Sequence, residues 1–182
     1  MNIEIDSELP LGNQTIKLST KPNERSVSIA NSLGFGIDLE QLNLSYIPSE
    51  ACDMFVNQSY EYVAIDTLKF DSYHKLHSID MHLPEYITDL LDSNFSIDPF
   101  DEYNKSLGKL LRLSSTVKDN KLTMHCPVLA EHSINFSQGR HRFWMIRACG
   151  APFFIAAVLP KVKQQLIEAN MLFDTELISV AV

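Results

Sequence analysis

Polar and apolar residues alternate along Gln14-Thr15-Ile16-Lys17-Leu18-Ser19 and again along Ser26-Val27-Ser28-Ile29-Ala30. A period of two marks a strand with one buried face, and Lys21-Pro22-Asn23-Glu24 between the runs carries turn chemistry. The pattern predicts an N-terminal β-hairpin. Residues 31–58 carry scattered apolar side chains with Gly34, Gly36 and Pro48, and read as irregular structure with room for a short helix. Alternation returns at Tyr60–Asp66, which reads as a strand. Thr67 to His77 reads as a short helix or a loop.

Further along, the spacing turns helical. Pro84 suits the first turn of a helix that buries Ile87, Leu90 and Leu91. Asn94 to Asp101 is loop-like. Tyr103 to Leu113 places Leu107, Leu110 and Leu111 at helical intervals despite Gly108. Lys118–Lys121 reads as a turn, and Leu122–Leu129 as a strand in which Pro127 marks an edge or a bend. A strand over 132–137, a turn at Gly139–Arg142 and a helix over 141–149 follow. Gly150 is placed as a left-handed cap before a strand over 153–159. Pro160 opens a last helix, with Val162, Leu166 and Met171 to pack. The economical architecture is one α+β unit, divided into an N-terminal extension with the hairpin (1–58) and a main domain (59–182).

With 182 residues, 45% of them apolar, the chain can bury a core without staples. The N-terminus lacks the basic and then apolar regions of a signal peptide. Ala151–Leu159 is the longest strongly apolar run; it is too short to span a bilayer and suits a buried strand. Cys52, Cys126 and Cys149 are widely spaced and form no CxxC pair. A cytoplasmic protein without membrane insertion is the expectation.

Charge sharpens this picture. The net charge of −8 argues against a general nucleic-acid coat protein. Residues 1–120 carry 9 Lys+Arg against 19 Asp+Glu, whereas residues 121–165 carry 6 Lys+Arg and only Glu131. An acidic body with one basic region suggests a local anionic ligand. Lys161 and Lys163 either add to that region or solvate the start of the last helix.

The basic region surrounds Gln138-Gly139-Arg140-His141-Arg142. A glycine between a strand and a helix with cationic side chains at its start is a phosphate-binding arrangement. The helix start offers amide donors and partial positive charge, and glycine lets an anion approach the backbone. Arg142 has the planar fork that grips phosphate oxygens and stabilises transition-state charge; its alternative is a surface salt bridge. Arg140 either contacts ligand or faces solvent. His141 is either a general acid or base or a capping side chain. Ser137 and Gln138 are candidates for bonds to phosphate or sugar. Glu131 is the acid nearest the motif, to bind metal or polarise a water; its alternative is a solvated turn glutamate. Asp66 and Lys69 follow the strand at 60–66 and are weaker candidates for the same cleft. Phe143 and Trp144 read as core, Arg147 as a structural pair. His74, His77 and His82 complete no known metal spacing, so no metal site is assigned.

The run Ile134 to Phe143, followed by Gly150 and an apolar strand, resembles the ParB/sulfiredoxin superfamily, and within it the plasmid fertility inhibition factors of the Osa-like group. Gln138 stands where that pattern has Asn. Tyr62–Leu68 resembles the first strand of the domain, and Pro127-Val128 the short apolar segment before the signature strand. The resemblance covers residues 60–160 as a pattern and 133–159 with specificity. It implies a small mixed sheet with packed helices and a nucleotide or nucleic-acid phosphate site at the turn. It also implies ATP or another nucleotide as ligand, and ATPase or DNase activity in conjugation inhibition; a catalytic Mg2+ would need carboxylates, of which Glu131 is the one near the signature strand. Arg140 stands where sulfiredoxin places its cysteine nucleophile, which argues against a reductase. The chain ends within about 30 residues of the last strand, which argues against a helix-turn-helix of the partition-protein kind. The alternative is a non-enzymatic inhibitor that docks onto coupling or transfer proteins through the acidic face of residues 80–102.

Overall fold

The computed structural model describes residues 1–32, 36–49, 59–77 and 108–178. The helix expected at Pro84, the loop at 94–101, the acidic face at 80–102, His82 and residues 103–107 lie outside these. The chain is α+β. Among the described residues the strands form two mixed four-stranded sheets, and no helix is long and apolar enough to cross a membrane.

The first sheet has the order β2 (Gln14–Lys17), β1 (Asn2–Ile5), β3 (Asn43–Ile47), β5 (Lys121–His125). The β1–β2 pair is antiparallel, and β3 runs parallel to both β1 and β5. The first hairpin is thus built from Asn2–Ile5 and Gln14–Lys17. The run Ser26–Ala30, expected as its second strand, lies instead in helix α1 (Glu24–Ser32). Capping overrode alternation here. The Asn23 side chain accepts the Ser26 backbone N–H at 3.0 Å and its hydroxyl at 3.2 Å. Ser26 and Ala30, one helical turn apart, are both buried. Residues 43–47, expected to be irregular, form the strand at the heart of this sheet. Leu44 and Tyr46 are fully buried, and the polar Ser45 between them is nearly so.

The second sheet has the order β4 (Glu61–Asp66), β8 (Phe153–Val158), β6 (Val128–Leu129), β7 (Phe136–Gln138). The β4–β8 and β6–β7 pairs are antiparallel, and β6–β8 is parallel. All six residues of β8 are buried, as their apolar run foretold. Strand β7 starts later than expected, because Ser133–Asn135 form a turn in which the Asn135 side chain accepts the Phe136 N–H at 2.7 Å.

Residues 122–129 read as one strand but, with Lys121 added at the start, serve both sheets. Cys126 N–H donates to Ile47 in the first sheet at 2.9 Å, and the Pro127 carbonyl accepts from Ala157 in the second at 2.8 Å. Pro127, which has no N–H to offer a ladder, marks the crossing. The first sheet thereby takes strands from both sides of residue 59. One buried cluster runs from Ile3 and Ile5 to Trp144 and Leu166.

Helices α2 (Thr67–His77), α3 (Arg140–Ala148) and α4 (Pro160–Glu168), the helical residues 108–114 and a 3-10 turn at Thr175–Ile178 are the other helical elements among the described residues. Asp66 caps α2, accepting the N–H groups of Leu68 and Lys69 at 3.0 Å each. Four rings tie α2, β7, α3 and β8 together. Phe70 lies 5.1 Å from Phe136, 5.2 Å from Phe143 and 5.1 Å from Phe154, centroid to centroid. The end of α3 is closed by Gly150 at φ 76°, with Gly150 N–H on Arg147 C=O and Ala151 N–H on Ile146 C=O. The N-terminal segment also touches this end: Asn23 N–H donates to Ala148 C=O at 3.0 Å.

Candidate phosphate-binding cleft

Strand β7 ends at Gln138, and Gly139 turns the chain into α3 with φ 98° and ψ 10°. L side chains are strained in that region. A Cβ here would also lie 2.8 Å from both Cα and Cβ of Pro127. The turn and the inter-sheet crossing are therefore packed backbone to ring, and only glycine fits between them. The first intrahelical bond runs from Phe143 N–H to Gly139 C=O at 2.8 Å. Earlier amides in a helix lie outside its ladder and carry partial positive charge.

A cleft of about 560 Å3 opens at this helix start. Its walls include Ser137, Gln138 and Gly139 from the turn, and Arg140, His141 and Arg142 from α3. The structure thus brings together every residue of the sequence motif proposed to bind phosphate. The facing wall was not anticipated: it comprises Lys109, Arg112, Leu113 and Thr116, with Phe136 also lining the cleft. Lys109 and Arg112 are exposed and three apart on one helical face. Four cations line the cleft, and among the described residues no carboxylate does.

Arg142 does a different job from the one its position suggested. Its Nη1 donates to the carbonyl of His125, and at 3.2 Å to that of Cys126. These are the last carbonyls before the crossing at Pro127, so the guanidinium pins the place where the chain changes sheets. Burial lowers its pKa, with the nearby Cys126 thiol acting in the opposite sense. Arg142 still lines the cleft, but as a strut as well as a cation. Arg140 and His141 are half-buried, and Ser137 and Gln138 are exposed.

Glu131 does not join them. It lies in the β6–β7 connection, at the opposite end of that hairpin from Gly139, exposed, with its carboxylate 3.6 Å from His132 Nε2. Asp66 is engaged in capping α2, and neither it nor Lys69 lines the cleft. Phe143 and Trp144 are fully buried, as core side chains. His74 is buried and stacks on Phe70 at 5.9 Å. No group of three metal-ligating side chains exists among the described residues. Cys149 is buried, donates to Ile146 C=O at 3.2 Å, and has its thiol pushed up to about 12 by burial, so it holds no reactive thiolate.

The basic excess counted over residues 121–165 is not one patch. Lys121 pairs with Glu4 at 2.5 Å, Lys163 with Glu61 at 2.5 Å, and buried Arg147 with Asp71 at 3.3 Å. Half of its six cations are thus matched by acids distant in sequence. The cleft draws Lys109 and Arg112 instead from the acidic part of the chain. Comparison with protein-family models, with curated proteins and with solved structures returns no match.

Proposed function

We propose that the chain binds the phosphate of a nucleotide or nucleic acid at the start of α3, as a plasmid fertility inhibition factor of the ParB/sulfiredoxin type. The observation that carries this reading is one cleft that unites a left-handed glycine, a helix start and four cations. Anions favour such a site through amide donors, helix charge and guanidinium forks acting together. The order strand, Gly139, aromatic helix, Gly150 and final strand, with β8 parallel to β6, supports the fold reading. In this reading Arg140, Arg112 and Lys109 hold phosphate oxygens, a Mg2+ would have to be held by the nucleotide's own phosphates because no carboxylate lines the cleft among the described residues, and His141 is the residue in the cleft able to carry a proton.

The position of Glu131 and the structural bonds of Arg142 favour a second reading. Here the cleft binds without turnover, and inhibition comes from docking onto coupling or transfer proteins. Calorimetric titration of ATP and of a short DNA into the protein, with and without Lys109→Ala/Arg112→Ala, tests the shared premise. The double variant is expected to bind at least about tenfold more weakly, since removing a cation from a phosphate costs about 1 kcal/mol or more. Unchanged affinity would refute the site. Phosphate release with Mg2+ then separates turnover from docking.

A further inference from the structure

A second cleft, of about 800 Å3, adjoins the first, and Thr116 stands in the wall of both. Its floor is the outward face of the first sheet. The register Ile3↔Leu44↔Leu122 turns these three side chains inward, where all are fully buried. The pleat turns their neighbours Asn2, Glu4, Asn43, Lys121 and Thr123 the other way, into the second cleft. Ser115, Lys118 and Asp119 add to its wall.

The two clefts differ in charge. Four cations and, among the described residues, no acid line the first. In the second, Glu4 and Asp119 balance Lys118 and Lys121, and the Glu4–Lys121 pair is closed at 2.5 Å. The remaining lining groups are neutral hydrogen-bonding side chains. Asn43 Oδ1 accepts the Asn2 backbone N–H at 2.7 Å, which fixes the amide and leaves Nδ2 to donate. The hydroxyls of Ser115 and Thr116 donate to the carbonyls of Arg112 and Leu113 at 2.7 Å each, so their oxygens remain acceptors.

A polyanion laid across both clefts would give up the hydration of its phosphates in the second for no net attraction, because Glu4 and Asp119 there cancel Lys118 and Lys121, and Lys121 is already held by Glu4. A ligand with an anionic end and a neutral, hydrogen-bonding body meets no such cost. Carboxamides match the mixed donors and acceptors of a base edge, and hydroxyl acceptors match the hydroxyls of a sugar. We infer that the second cleft takes the sugar and base of a nucleoside phosphate whose phosphates occupy the first, so that the ligand is a mononucleotide rather than a nucleic-acid strand. This rests on the phosphate reading of the first cleft.

Titration of the full chain with the four ribonucleoside triphosphates, inorganic tripolyphosphate and a single-stranded oligonucleotide tests it. One nucleoside triphosphate is expected to bind at least about tenfold tighter than tripolyphosphate. Thr123→Ile, a change on an exposed strand position, should erase that advantage and leave tripolyphosphate binding unchanged. In the unsubstituted protein the nucleotide, but not tripolyphosphate, should shift the side-chain amide NMR signals of Asn2 and Asn43, a readout independent of any variant's folding. Equal affinities without those shifts overturn the inference and leave the phosphate reading standing, and so does an oligonucleotide that outcompetes every mononucleotide. Failure of tripolyphosphate and all nucleotides to bind overturns both.

Discussion

Arg142→Ala separates a strut from a ligand group. The substitution removes the donor of two carbonyls, His125 and Cys126, at the point where the chain leaves one sheet for the other. Hydrogen bonds from a charged donor contribute about 1.5–3 kcal/mol each. The bond to Cys126, at 3.2 Å, belongs at the weak end, so a loss of roughly 3–4.5 kcal/mol follows. Against a total stability of about 5–15 kcal/mol, that is a large fraction. Arg142→Lys keeps a charge but not the fork, and should fall between the two. Lys109→Ala and Arg112→Ala, on exposed side chains, should stay within about 0.5 kcal/mol of the parent. Urea denaturation followed by circular dichroism, compared through the midpoint at constant m-value, measures all four. An Arg142→Ala protein as stable as its parent, yet unable to bind phosphate, would refute the strut.

Gly150→Ala should cost at least about 2 kcal/mol, because the new Cβ would sit 2.1 Å from the Lys21 carbonyl at φ 76°; a thermal melt within a degree of the parent would contradict this. Asn23→Ala removes the acceptor at the start of α1 and should lower stability by about 1 kcal/mol, whereas Asn23→Asp should retain most of it. Cys149, with a thiol held near 12 against an ordinary 9.0, stays protonated in the folded state after the unfolded chain has begun to ionise. Its contribution is therefore complete below pH 9 and is lost as pH rises toward 12, at about 1.4 kcal/mol per pH unit. Tyr46, raised well above 10.0 by burial, adds to the same alkaline loss. Denaturant titrations at pH 8 and pH 10.5 should show the fall, and Cys149→Ala should flatten it.

The elements that sequence foretold best are those with local punctuation. Gly139, Gly150 and Pro160 mark the ends of α3 and the start of α4, and the apolar run at 153–158 admits little but a buried strand. Where five residues fit two periods, the pattern was blind. Ser26–Ala30 alternates like a strand, yet the Asn23 cap makes it helical. Strand β3 escaped notice because buried Ser45 dilutes its apolar signal. The split of 121–129 between two sheets depends on what lies across from it, which sequence does not display. Charge counted along the chain misled for the same reason: Lys121, Arg147 and Lys163 meet Glu4, Asp71 and Glu61 only after folding. Lys109 and Arg112 did leave a trace, two cations at i and i+3 on a helical face, hidden by the acids around them.

Strand β3 sits between β1 and β5, and its β5 partner begins only at Lys121. On a ribosome adding about 5–20 residues per second, roughly 4–16 s pass between synthesis of residue 43 and of residue 121. Throughout that interval one edge of a strand carrying Leu44 and Tyr46 lacks the neighbour it will have in the finished sheet, and open apolar edges template aggregation. The pairings within the β6–β7–α3–β8 unit join strands close in sequence and carry no such delay, whereas β4 must wait for β8. Early chaperone capture should therefore raise yield of intact protein, and a nascent chain stalled before residue 121 should be the species that clumps.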